Sequence, residues 1–310
     1  MRKTALETIG RLVEEDPRVV FVGSDLGAGT LEDVKSRHPD RVLMEGIAEQ
    51  HLVSFAAGLA HEGFIPYVHT IATFLTRRAL EQVVVDVALD RLPVILVGAG
   101  GGMVYAPLGP THQAIDDFAL MTTIPGMNVI APADPLEMES VLKLLLAERV
   151  PAYVRVAKGG EPVITDKFPP LEPGKMRMVR EGQRLAVLTT GALLHECIDA
   201  VEIIRADGVE VTLAHFPFVA PLDREAVVSL SSSHDYLLVV EEHIPQGGLT
   251  TAVANVLSEI GFSSPLHRLT LPPAYATKYG AQAEHWRMHG LDAEGIRRKI
   301  SEILTSNEPI

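Results

Sequence analysis

What most constrains this chain is a repeated alternation of short apolar runs with segments of helical spacing. RVVFVGSDL, from Arg18, reads as a strand entering a turn, and RVLMEG, from Arg41, as a second short strand. FIPYVHT, LPVILVGA, MNVIAPAD and PAYVRVA supply the strands that follow. Residues 3–15, 47–62, 74–89, 114–121 and 135–147 carry the spacing of helices between or before them. LPVILVGA is apolar on both faces, which a strand tolerates only when helices cover both sides of its sheet. The alternation predicts a mainly parallel sheet between two helical layers.

The pattern stops at GGEPVITDKFPPLEPGKM (159–176), which is rich in proline and glycine and has no periodicity. It then restarts with RLAVLTTG, VEVTLAHF, YLLVVEE and PLHRLTL as strands, and with helices ending near Asp207, at 223–230, at 249–260 and from about 292. The fold class is therefore α/β with two parallel-sheet domains. The expected boundaries are 1–160, a linker at 161–180, and 181–310. A length of 310 residues agrees with two domains.

Charge and cysteine content narrow the function. A formal net charge of −13 argues against a nucleic-acid or anionic-membrane partner, since both select a basic face. Cys197 is the only cysteine, so no intrachain disulfide forms, and a reducing, cytoplasmic setting is expected. The first residues carry acids and no long apolar core, unlike a signal peptide. Residues 92–111 are uncharged, but their glycines and prolines argue against a membrane span.

Two stretches carry candidate chemistry. In MEGIAEQHLVSFAAGLA (44–60), Glu49 opens an apolar helix. A buried carboxylate costs several kcal/mol unless something pairs with it. Glu45 reads as an acid favoured by the helix N-terminus. The second stretch is LVGAGGGMVYAPLGPTHQ (96–113). Gly98 and Gly100 suggest a dinucleotide fingerprint, but Met103 replaces the third glycine and YAPLGP cannot open a helix. The uncharged run ending in Thr111-His112-Gln113 reads instead as a loop lining a site. His112 is expected near a helix start, where the dipole favours a neutral imidazole.

In order, GIAEQH (46–51), YVHTIATFLTRR (67–78), GPTHQA (109–114), IPGMNVIAPAD (124–134) and PAYVRVAKG (151–159) resemble the pyrimidine-binding domain of the transketolase family, which includes deoxyxylulose-phosphate synthase. PLDREAV (221–227) and VVEEHIPQGGLTTAVA (239–254) resemble that family's C-terminal domain. The resemblance implies thiamine diphosphate as cofactor. Glu49 would face the ring nitrogen of its aminopyrimidine, Phe74 would stack on that ring, and Asp25 and Ile47 would border it. His112 would contact substrate, while Arg77, Arg155 and Lys158 are candidates for an anionic substrate tail. Leu108 stands where many relatives carry an acid that contacts substrate hydroxyls, and Ile71 where the synthases have a tyrosine. Both departures point away from an ordinary pentose phosphate and toward a modified or deoxygenated sugar, a differently charged tail or a 2-oxo acid donor.

The resemblance also implies something missing. The family holds the diphosphate and its magnesium through a GDG turn with an Asn-rich turn downstream, and the nearest match, Asp207-Gly208, lacks the first glycine. A split enzyme is therefore expected. This chain would be its small subunit, an N-terminal pyrophosphate-domain transketolase subunit would bring the metal ligands, and the assembly would be α2β2. The expected reaction transfers a two-carbon ketol unit from a ketose to an aldehyde. A decarboxylating β subunit of a 2-oxo acid dehydrogenase and a non-catalytic binding subunit are the alternatives.

Overall fold

The computed structural model of the protein describes residues 1–24, 26–261 and 265–306. Twelve strands are present among these residues. They are β1 (Val19–Gly23), β2 (Val42–Met44), β3 (Ile65–Ile71), β4 (Ile95–Ala99), β5 (Asn128–Ile130), β6 (Ala152–Val156), β7 (Arg177–Arg180), β8 (Leu185–Thr189), β9 (Thr212–His215), β10 (Phe218–Ala220), β11 (Tyr236–Glu241) and β12 (Leu266–Thr270). They form a seven-stranded sheet in the order β10-β5-β6-β4-β3-β1-β2 and a five-stranded sheet in the order β12-β11-β8-β9-β7. All pairings are parallel except β10 on β5 and β7 on β9. Both sheets are thus parallel with one antiparallel edge strand.

The apolar runs became strands because they are buried on both faces. Every residue of β1, β4, β6 and β8 is buried. One side of the first sheet packs Leu52, Val53 and Ala56 from the helix Glu49–His61 against Val20, Val68 and Leu96. The other packs Leu6, Ile9 and Val13 of the helix Arg2–Glu15 with Val141 and Leu142 of Pro135–Glu148 against Phe21, Ile95 and Val154.

The structure departs from the sequence reading in several places. Arg177–Arg180, expected in the linker, is a strand of the second sheet. Its burial is mostly partial, so it lacked an apolar run. Phe218–Ala220 lies in the second half of the chain yet extends the first sheet beside β5, tying the domains together. Residues 74–89 form two π-helical segments, Phe74–Arg78 and Val83–Ala88, around a short α-helical turn rather than one regular helix. The helices Glu32–Arg37 and Gln282–His289 also escaped the sequence reading.

The linker is pinned. Asp134 caps the helix that follows it through the Glu137 amide, at 2.8 Å, and accepts bonds from the amides of Ile164 and Thr165, each at 2.7 Å. Among the described residues, no helix is long and apolar enough to cross a membrane.

Candidate functional site

Glu49 is the first residue of its helix and is only 1% exposed. It lies beside the C-terminal end of β3, where ligands gather in sheets of this kind. The hydroxyl of Thr70, in β3, donates to Oε1 at 3.2 Å. The Arg78 guanidinium donates through Nη1 to Oε2 at 2.5 Å.

Arg78 ends the π-helical segment that Phe74 begins. They are four positions apart, and the guanidinium lies 4.5 Å from the centroid of the Phe74 ring. His112 meets the same ring edge-on, with centroids 5.0 Å apart and planes at 71°. Glu49, Phe74, Arg78, His112 and Thr70 therefore form one cluster drawn from four elements. A π turn inserts an extra residue into a helix and recurs at functional sites.

His112 closes a short 3-10 turn after Gly109, which takes a φ of +89° that favours glycine. The expected helix at 114 begins only at Asp117. The dipole argument for His112 therefore lapses, because the effect fades within the first turn. Instead, Thr111 Oγ1 lies 2.9 Å from His112 Nδ1.

The second domain braces this loop. The Gln113 side chain is fully buried, donating to the Ala276 carbonyl at 3.2 Å and accepting from its amide at 3.0 Å. Arg77 belongs to this brace. Its Nε and Nη2 grip Asp116 at 3.0 and 2.6 Å, Nη2 also donates to the Gln113 carbonyl at 3.0 Å, and the guanidinium lies 5.3 Å from the Tyr275 ring. The neighbouring arginine, Arg78, is the one at Glu49. The sequence signal for it was its spacing of four from Phe74, which the reading overlooked, as it overlooked Thr70.

Arg155 likewise points inward. Nε donates to Asp117 Oδ2 at 2.8 Å, Nη1 to the Glu242 carbonyl at 3.0 Å and Nη2 to the Ala114 carbonyl at 3.2 Å, with a further bond to Asp117 Oδ1. The guanidinium covers the Phe118 ring at 3.7 Å. Burial alone would push the Asp117 carboxyl up, but the Arg155 charge and hydrogen bonds outweigh it and hold it below the usual carboxylate range. Lys158, two residues beyond β6, is exposed and makes no ion pair among the described residues.

Ile47 is 69% exposed and Leu108 is 56% exposed, so both are apolar side chains on the loops that flank the cluster. Asp25 lies outside the described residues. The glycines of 98–102 serve close packing. A Cβ at Gly98 would fall 2.7 Å from the Tyr153 ring, and one at Gly101 2.2 Å from Arg155 Cγ. Among the described residues, no group of three or more His, Cys, Asp or Glu side chains is placed to hold a metal ion.

The cluster offers a buried carboxylate, a ring face and an imidazole edge. A planar, cationic hydrogen-bond donor fits between the first two, as the Arg78 guanidinium demonstrates. A protonated aminopyrimidine has the same shape, charge and donor pattern.

Comparison with known proteins finds relatives along most of the chain. Residues 1–160 match the family described as transketolase, pyrimidine binding domain, and residues 174–296 match transketolase, C-terminal domain. The 1-deoxy-D-xylulose-5-phosphate synthase of Oleidesulfovibrio alaskensis is 36% identical over 307 residues, covering 97% of this chain and 48% of that protein. Synthase 2 of Geobacter sulfurreducens is 36% identical over 300 residues, or 47% of its length. The chain thus spans about half the length of the curated relatives it matches. A solved split-gene transketolase, described as an inactive β4 tetramer, superposes with a TM-score of 0.88 at 28% identity, covering 99% of this chain and 98% of that one. The transketolase of Campylobacter jejuni shares the fold, with a TM-score of 0.77 at 16% identity over 46% of its chain.

Proposed function

The chain belongs to the transketolase family, and from that premise we propose that it is the pyrimidine-binding subunit of a thiamine diphosphate-dependent ketol transferase. The observation that carries this reading is Glu49, buried at 1% exposure beside a ring face already occupied by a planar cation. When bound, thiamine diphosphate supplies an acidic ring carbon that serves as nucleophile toward a ketone.

In this reading, Glu49 Oε2 keeps a proton on the aminopyrimidine ring nitrogen. The low-dielectric surroundings that make an unpaired carboxylate costly strengthen that bond. Thr70 holds the second carboxylate oxygen and fixes its direction. Phe74 supplies the stacking face and His112, packed on its edge, reaches toward substrate hydroxyls. Lys158 draws in an anionic tail. Ile47 and Leu108 are apolar and exposed, suited to contact with cofactor, substrate or another chain.

The diphosphate and its magnesium fall to a partner chain carrying the pyrophosphate domain, in an α2β2 assembly. Support for a separate partner comes from the split-gene transketolase, whose chain has the same extent as this one. A second reading, formation of a deoxyketose phosphate as the curated relatives' name implies, is favoured by their identity of 36% against 28% for the split-gene chain.

The test is to purify the tagged chain with its co-purifying partner and measure bound thiamine diphosphate and magnesium, then carbon dioxide release from 2-oxo acids against ketol transfer between sugars. Stoichiometric cofactor and transfer without carbon dioxide support the first reading, and carbon dioxide release supports the second. A folded complex that takes up no cofactor refutes both.

A further inference from the structure

Glu49 and Arg78 make an unequal pair. The Glu49 side chain is 1% exposed, while that of Arg78 is 45% exposed. The arginine therefore reaches in from the rim, and its head group occupies the place between the Glu49 carboxylate and the Phe74 ring. Among the described residues it makes no hydrogen bond except the one to Glu49. A side chain that is 45% exposed gives the guanidinium a route to water.

A guanidinium and a protonated aminopyrimidine share three properties: both are flat, both are cationic, and both present N–H groups in the ring plane. Each satisfies a buried carboxylate and stacks on an aromatic face. Glu49 Oε2 and the exposed face of Phe74 cannot serve both at once. We propose that Arg78 is a place-holder: it fills the aminopyrimidine subsite while the cofactor is absent, and swings out to the rim when thiamine diphosphate binds.

This inference rests on the thiamine diphosphate reading above and adds a consequence to it. Without a counter-charge, the empty subunit would bury a lone carboxylate, which is strongly unfavourable. Arg78 supplies that charge, so the subunit stays folded while it waits for cofactor. Cofactor then binds only the fraction of molecules in which Arg78 has left, and apparent affinity falls by that fraction. Specificity follows as well. An uncharged flat ring, such as a neutral pyrimidine, gains the stacking face but leaves Glu49 without its cation, so it competes poorly with Arg78.

The experiment uses the complex purified with its partner chain and stripped of cofactor. Thiamine diphosphate with magnesium is titrated by calorimetry into the wild type and into Arg78→Met, Arg78→Gln and Arg78→Lys. The thermal midpoint of each is recorded with and without cofactor. The Met and Gln variants should bind about tenfold more tightly, the scale of an exposed-rim ion pair combined with cation–π stacking. Their cofactor-free midpoints should fall below the wild type while the loaded midpoints converge. Arg78→Lys, which keeps the charge but not the flat stack, should lie between.

Unchanged or weaker binding in both the Met and the Gln variants overturns the place-holder, because Arg78 then belongs to the loaded site or to neither. Glu49→Gln, run in parallel, separates the two levels. If it weakens binding while the Arg78 variants do not improve it, only the place-holder falls. If the wild type binds no cofactor, or Glu49→Gln binds as tightly as wild type, the thiamine diphosphate reading falls and the place-holder with it.

Discussion

The protein sets an acid beside an arginine that stacks on a phenylalanine in more than one place, and two of these copies are used differently. In one, Asp117 and Arg155 are both inside, at 0% and 10% side-chain exposure, and Arg155 spends its donors on two carbonyls and both oxygens of Asp117. Phe118 lies beneath it. The Glu242 carbonyl comes from the second domain, so this copy fastens the domains together. In the other, Glu49 is just as buried but Arg78 is not, and one hydrogen bond joins them. Composition is nearly the same; exposure and bond count differ. A buried arginine with several fixed partners cannot be exchanged without leaving charges stranded. A half-exposed arginine with one partner can, and a binding site requires exchange.

The sharpest way to break this comparison is to remove each acid. Asp117→Ala strands Arg155 in the seam, and loss of one partner of a buried pair costs about 3–5 kcal/mol. Chemical denaturation should show a fall of that size. Glu49→Ala leaves Arg78 free to turn to water, so its effect on stability should be under about 1 kcal/mol. Turnover, however, should drop by at least about a hundredfold, the contribution of a positioned proton-holding group. Equal destabilisation by the two variants would mean that the distinction between fastened and exchangeable pairs is wrong.

Acid provides the next test, because the fastened charges carry their own pH signature. Glu137 is buried against His215, with Oε2 2.8 Å from Nε2, and accepts from Arg177 through Oε1 at 2.6 Å. Burial alone would raise its carboxyl, but the His215 charge and bond, the Ala133 amide and Arg177 outweigh it and bring it down to about 2. A depressed carboxylate stabilises the fold above its ordinary value of 4.5 and loses that contribution as pH falls toward 2. His69 acts earlier. Burial lowers its imidazole to about 4 despite the Val97 carbonyl, so the unfolded chain takes up a proton first and stability declines from pH 6.5 toward 4. Stability against pH should therefore fall in two overlapping stages. Glu137→Gln should flatten the lower stage at the expense of stability at neutral pH, and it should leave the upper stage intact.

How much of this was legible in the sequence follows from what each residue's surroundings select. Strands β1, β4, β6 and β8 are buried on both faces, so they wrote themselves as apolar runs. Strand β7, RMVR, sits at an edge with mostly partial burial, and nothing in its composition separates it from a linker. Glu49 was legible because an acid at the head of an apolar helix is costly without a purpose. Phe74 and His112 came with the motif resemblance, and the fold places them together. Arg155 and Arg77 bond to Asp117 and Asp116 inside the chain, which the sequence could not show, since it tells that a residue is cationic but not where its partners lie. Arg78 was missed for the same reason in reverse: its partner is 29 positions away, on a different element. Pairing is a tertiary property, and the two arginines that looked alike in FLTRR take different partners for that reason.

Lys158 offers the smallest effect and a control for the comparison. It is exposed beyond the end of β6 and makes no ion pair among the described residues, so it neither fastens the domains nor holds Glu49. If it draws in an anionic substrate tail, Lys158→Ala should raise KM a few-fold for a phosphorylated substrate, leave kcat almost unchanged and leave the denaturation midpoint where it was. The KM effect should shrink as salt is added, because an exposed charge acts over little more than a Debye length. Steady-state kinetics at two ionic strengths measure this directly. A loss of kcat instead would move Lys158 into the reacting centre, and with it the boundary between the residues that recognise substrate and those that act on it.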